Sequence, residues 1–129
     1  MDEAFDRIYD DIKYGRLAAV EEFLNQGGNP NLTNKNGWTL VMSAAFKGNS
    51  RILSLLLERG ANINSINVAG CSALSLAAGS GHQKCVKLLL AQGADVQVRP
   101  LGQPLLTFMQ YAQCPSPEIN QLLAEAGAK

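Results

Sequence analysis

The sequence predicts an all-α solenoid of four stacked helix–turn–helix units joined by turn-rich links. Three observations predict it. The 129-residue chain is self-similar at a period of 33 residues, which brings Gly15, Gly48 and Gly81 into one register. Glycines divide each period into two segments short enough to be single helices. The apolar residues in the second segment of each period spread over a broad helical face.

The register extends well beyond those three glycines. Gly27, Gly60 and Gly93 coincide, as do Gly37 and Gly70. Leu24, Leu57 and Leu90 fall together, and so do Phe23, Leu56 and Leu89. Asn29, Asn62 and Asp95 share one position, and Asn31, Asn64 and Gln97 another. The units run 1–33, 34–66, 67–99 and 100–129, the first and last being degenerate.

Each element follows in order. The first unit opens on an acidic helix that suits a water-facing end cap. In the second, Thr39 caps a helix running to about Lys47, and Gly48 breaks it. The next helix runs from about Ser50 to Arg59, with Ile52, Leu53, Leu55, Leu56 and Leu57 on its broad apolar face, and Gly60 ends it. The Asn-rich ANINSIN that follows is turn chemistry. The third unit repeats the plan with Ser72 as cap, Gly81 as break and Gly93 as stop. In the fourth, Ser116 caps the second helix and Pro117 sits just inside, where a missing N–H costs nothing. One extra residue enters that unit in CPSPE, between its two helices, where a loop absorbs length.

Composition narrows the function. A chain that is 47% hydrophobic and 17% charged folds and is not disordered. Its 11 basic and 11 acidic residues cancel, so no nucleic-acid partner is expected. The charge is uneven, however: residues 1–30 are net acidic and residues 31–99 net basic. Cys71, Cys85 and Cys114 show neither disulfide nor zinc spacing, and one histidine cannot complete a metal set. No cofactor or metal is therefore expected. The acidic start lacks a signal core, and no apolar run is long enough for a membrane span. A cytoplasmic protein is expected, with the nucleus as the other compartment, monomeric on its own.

The third unit, GCSALSLAAGSGHQKCVKLLLAQGADVQ, and the second, GWTLVMSAAFKGNSRILSLLLERGANIN, resemble the ankyrin repeat, whose pattern is GxTPLHxAA, then GH, then LLLxxGADVN. The resemblance covers nearly the whole chain. It implies β-hairpin-like connecting loops and a concave face that binds protein or peptide partners. The histidine of TPLH is replaced by Met42 and Ser75, so the bonding that it supplies between repeats is expected to be weak or absent. Gln110 and Tyr111 are expected where the middle units carry Ala-Ala.

The family's variable positions are the hairpin tip, the residue after the turn glycine and the two residues before the inter-helix glycine. They map onto Lys35, Asn36, Trp38, Phe46 and Lys47 in the second unit. In the third they map onto Ile66, Val68, Cys71, Gly79 and Ser80; Arg99 follows in the fourth and Tyr14 in the first. These are the candidate partner-binding residues. Trp38 and Phe46 are expected to be exposed as an aromatic cluster with a basic rim of Lys35, Lys47 and Arg99, which is the composition of a hot spot. On that reading Trp38→Ala leaves the melting temperature nearly unchanged. The resemblance also makes Asn64 a candidate for asparagine hydroxylation in a eukaryotic cell.

Enzyme chemistry finds little support. His82 occupies the GH position that opens a helix, and Cys71 and Cys114 have no second histidine to pair with. GSGH, residues 79–82, lacks both GxGxxG and GK[ST]. The leading expectation is a non-enzymatic interaction module acting as inhibitor, adaptor or scaffold. The alternative is a small-ligand receptor or enzyme using the notch that Gly79 leaves in the inner helix. The capped ends argue against a fragment, and the irregular outer units argue against a designed solenoid.

Overall fold

The computed structural model describes residues 3–112 and 116–129. Among them, eight α-helices and one short 3-10 turn follow the expected plan. The first unit holds α1 (Glu3–Lys13) and α2 (Leu17–Asn25), the second α3 (Leu40–Lys47) and α4 (Ser50–Glu58). The third holds α5 (Ala73–Gly79) and α6 (Gln83–Ala91). In the fourth, a 3-10 turn (Pro100–Gly102) precedes α7 (Leu105–Met109) and α8 (Pro117–Glu125).

Local chemistry sets the helix starts. The Thr39 hydroxyl accepts from the Met42 N–H at 3.1 Å, and Asn49 Oδ1 from the Ile52 N–H at 3.0 Å. Ser116 Oγ accepts from the Ile119 N–H at 3.3 Å, with Pro117 in the first turn as the sequence predicts. At α5, Ser72 and Ser75 form a reciprocal capping box. That box shows what stands in for the histidine at the third unit: Ser75 bonds within its own turn, accepting from the Ser72 N–H at 2.9 Å. Met42, at the equivalent place, is buried.

The helices form two layers. Helices α1, α3, α5 and α7 pack side by side as the inner layer, and α2, α4, α6 and α8 as the outer one. Ala44, Ala45, Ala77 and Ala78 are fully buried or nearly so at the inner-layer contacts, where small side chains permit close approach. Between the layers run Val20, Ile52, Leu53, Leu56, Cys85, Val86 and Leu89, each with no exposed surface. The acidic α1 is amphipathic: Phe5, Ile8 and Ile12 are buried, while Asp6, Arg7 and Asp10 face water.

Polar bonds tie the units together on three lines. Along the outer loops, Asn31 Oδ1 accepts from the Asn62 N–H at 2.7 Å and Asn64 Oδ1 from the Asp95 N–H at 2.8 Å. Gln97 Nε2 then reaches the Gly127 carbonyl at 2.7 Å. At the hairpin tips, the Val68 N–H donates to the Asn36 carbonyl at 3.1 Å and the Leu101 N–H to the Ala69 carbonyl at 2.8 Å. At the turns between inner and outer helices, His82 Nε2 donates to the Phe46 carbonyl at 2.9 Å. The ring lies so close to Gly48 that a Cβ there would come within 2.5 Å of it, and Gly48 is left-handed at φ 76°. His82 is therefore a structural strut, and glycine is required beneath it.

The fourth unit differs from the expected register. Its turn glycine is Gly102, at φ 76° against 78° for Gly70. Counting three residues on from each turn glycine reaches the first helical residue: Leu40, Ala73 and Leu105. Met109 and Gln110, rather than Gln110 and Tyr111, thus take the places of Ala-Ala. Met109 is buried and Tyr111 exposed, as that register requires. The hairpin of this unit is a residue shorter, because Pro100 and the left-handed Leu101 (φ 54°) close it in a 3-10 turn. The compensating extra length lies between α7 and α8. That segment includes residues 113–115, outside the described part of the chain, where Cys114 and part of CPSPE fall.

Candidate binding groove

The Asn34 carboxamide builds the loop that presents Trp38. Its Oδ1 accepts from the Asn36 N–H at 2.9 Å and the Trp38 N–H at 3.0 Å, while the Asn34 N–H donates to the Trp38 carbonyl at 3.0 Å. Asn67 does the same for Cys71, with bonds of 2.9 and 3.0 Å to the Ala69 and Cys71 N–H groups. An isolated antiparallel bridge, Thr33 to Thr39, completes the second unit's loop as a hairpin.

Trp38 is half-buried against the core, and its ring meets that of Phe46 edge-on at 5.7 Å and 81°. Phe46 is 39% exposed. The two rings wall a groove of about 370 Å³ together with Phe5, Tyr9 and Leu76. Asp6, Asn34 and Asn36 supply its polar edge. Phe5 and Tyr9, one turn apart on α1, stack at 5.8 Å.

A second groove of about 280 Å³ continues from the first, sharing Phe46 and Leu76. Gly79, Ser80, Phe108, Tyr111 and Ala112 close it. The notch at Gly79 exists, but the next unit already leans into it: a Cβ on Gly79 would stand 3.2 Å from the Phe108 ring. Among the described residues, no carboxylate, imidazole, thiol or amine lines this hollow. A larger hollow, about 480 Å³, lies on the outer helices. Glu21, Arg51, Glu58 and Lys84 line it with charges of both signs, as on a solvated face.

The other sequence candidates are scattered. Lys47 is exposed, with its ammonium 5.4 Å from the Phe46 ring centre. Asn36 and Ser80 line the grooves. Tyr14, 63% exposed, lies away from them between Lys13 and Arg16, at 5.4 and 5.1 Å. Ile66 and Val68 are exposed but line neither groove. Arg99 turns back to the Gly102 carbonyl at 3.0 Å, and Lys35 is exposed at the tip. The expected rim of Lys35, Lys47 and Arg99 is corrected accordingly: among the described residues no basic side chain lines either groove, and the only charged one is Asp6.

Cys71 is a second correction. It occupies Trp38's position one unit on, yet it is buried, and burial raises its thiol pKa despite an opposing hydrogen bond with Ser75. It offers a partner no surface. Cys85 is core as expected, and burial pushes its thiol up to about 11. Sequence reasoning did not select Phe5, Tyr9, Leu76, Phe108 and Tyr111 as groove residues. Asn64 is exposed, with its carboxamide oxygen engaged by the Asp95 N–H.

The sequence profile of ankyrin repeats matches in three copies over residues 9–100. The chain belongs to the ankyrin repeat family, whose members are in general protein-interaction modules. No curated protein matched the chain. No helix among the described residues is long and apolar enough to cross a membrane.

Proposed function

We propose that the chain is a non-enzymatic module that holds a segment of a protein partner along the inner-helix face, so acting as inhibitor, adaptor or scaffold. The observation that carries this reading is the pair of hollows joined at Phe46 and Leu76. Together they run from Tyr9 on α1 to Tyr111 beyond α7, past side chains that remain partly open to water. Aromatic residues in such a trough lose little entropy on binding and contribute most of an interface's energy. The outer helices present mixed charge instead. Among the described residues, the hollow at Gly79 is walled by no carboxylate, imidazole, thiol or amine and by one phenol, that of Tyr111, which favours docking over catalysis there.

The test is capture of partners from lysate of the native host. Phe46→Ser with Tyr111→Ser is expected to weaken retention of a specific partner about thirtyfold, as for the loss of ~2 kcal/mol. Arg51→Ser, on the outer face, is expected to leave it unchanged. The reverse pattern would move the binding surface to the outer helices. Hydroxylation of Asn64 belongs to the same reading, since its side chain is exposed. Mass spectrometry of host-derived protein showing only the unmodified residue removes it.

A further inference from the structure

The groove beside Trp38 has a chemical character of its own. Phe5, Tyr9, Trp38 and Phe46 contribute to its walls, and the Trp38 and Phe46 rings stand nearly perpendicular. Aromatic faces carry negative potential, so rings set at angles around a hollow attract a cation more than any one ring does. Among the described residues, the sole charged group in the lining is a carboxylate, Asp6. Asp6 is exposed, and no ion pair engages it among the described residues. Ring faces and carboxylate thus favour the same sign of charge. Phe46 already shows the attraction within the molecule, since the Lys47 ammonium stands 5.4 Å from its centre.

Apolar walls select further among cations. A free ammonium is strongly hydrated and loses that water on entering such a hollow, whereas a quaternary ammonium is weakly hydrated and keeps its full charge. At about 370 Å³ the hollow has room for a trimethylammonium group and part of its alkyl stem. We infer that the groove lined by Tyr9, Trp38, Phe46 and Asp6 receives a methylated lysine side chain of the bound protein segment. This rests on the docking reading above and adds the chemistry of one anchor.

Trp38 is the chain's single tryptophan, so one indole N–H resonance reports the site directly. The probes are acetyl-trimethyllysine amide and its neutral isostere, in which a tert-butyl carbon replaces the nitrogen. Acetyl-lysine amide and acetyl-glutamate amide are the controls. The trimethyllysine probe is expected to shift the indole resonance saturably, with the neutral isostere at least about fivefold weaker. Asp6→Asn is expected to weaken binding several-fold. Lys47→Met, which removes the competing internal cation, is expected to strengthen it. Both positions are exposed, so the variants keep the fold, which the remaining amide spectrum verifies.

Equal binding of the neutral isostere overturns the inference and leaves an apolar slot. Tighter binding of lysine or glutamate also overturns it, in favour of a free ammonium or an anionic partner respectively. Absence of any shift overturns it as well. None of these results touches the partner capture described above, which fails separately if Phe46 and Tyr111 prove dispensable.

Discussion

Trp38 combines two roles at one position: it packs against the core and lines the groove. The sequence favours the second through its place after a turn glycine, with packing over the neighbouring hairpin as the alternative, and the indole does both. Because the indole is half-buried, Trp38→Ala is now expected to lower stability by ~1–2 kcal/mol, a fraction of the cost for a fully buried ring. Phe46→Ala, losing chiefly an edge-on ring contact, is expected to cost ~1 kcal/mol or less. Urea denaturation of both variants checks the order, and equal costs would contradict it. His82→Ala is expected to lose ~1 kcal/mol with its bond to the Phe46 carbonyl, measured the same way. Position alone did not reveal Cys71, because the same place in the hairpin holds residues of very different reach. A thiol is short enough to be closed over, whereas an indole extends past the loop.

At the level of elements, the glycine register and the capping residues were legible before any coordinates, since each acts within a few residues of itself. Thr39, Ser72 and Ser116 cap their helices through bonds spanning three residues, as does Asn49, which the sequence reading did not single out. The line of bonds along the outer loops is less local. Asn31 and Asn64 align in the sequence, but the bonds they accept come from the following unit. Asn31→Ala and Asn64→Ala are each expected to lower stability by ~0.5–1 kcal/mol. The double variant is expected to show the sum, since the two bonds join different pairs of units. A sum markedly exceeded would mean that the loops fail together. The fourth unit was misread because a fixed period was carried across a shortened hairpin. The signal that corrects it is Gly102, whose φ of 76° marks the turn and moves Tyr111 onto the groove.

For the whole molecule, stability depends on keeping the middle of the stack dry. The Cys85 thiol, ordinarily near 9.0, is pushed up to about 11 by burial. It stays neutral in the folded chain at pH values where the unfolded chain has already ionised it. Its contribution to stability is therefore fully present below pH 9 and is lost as pH rises from about 9 to 11. Against wild type, Cys85→Ala is expected to lose stability less steeply across that window in urea melts, and identical slopes would contradict this. The central claim is that the inner-helix face, and not the outer one, meets the partner. A photo-crosslinking residue placed at 46, 111, 51 or 84 in turn and irradiated in native-host lysate tests it most directly. The account predicts one shared adduct from positions 46 and 111 and none of that mass from 51 and 84; the same adduct from 51 or 84, with none from 46 or 111, would contradict it.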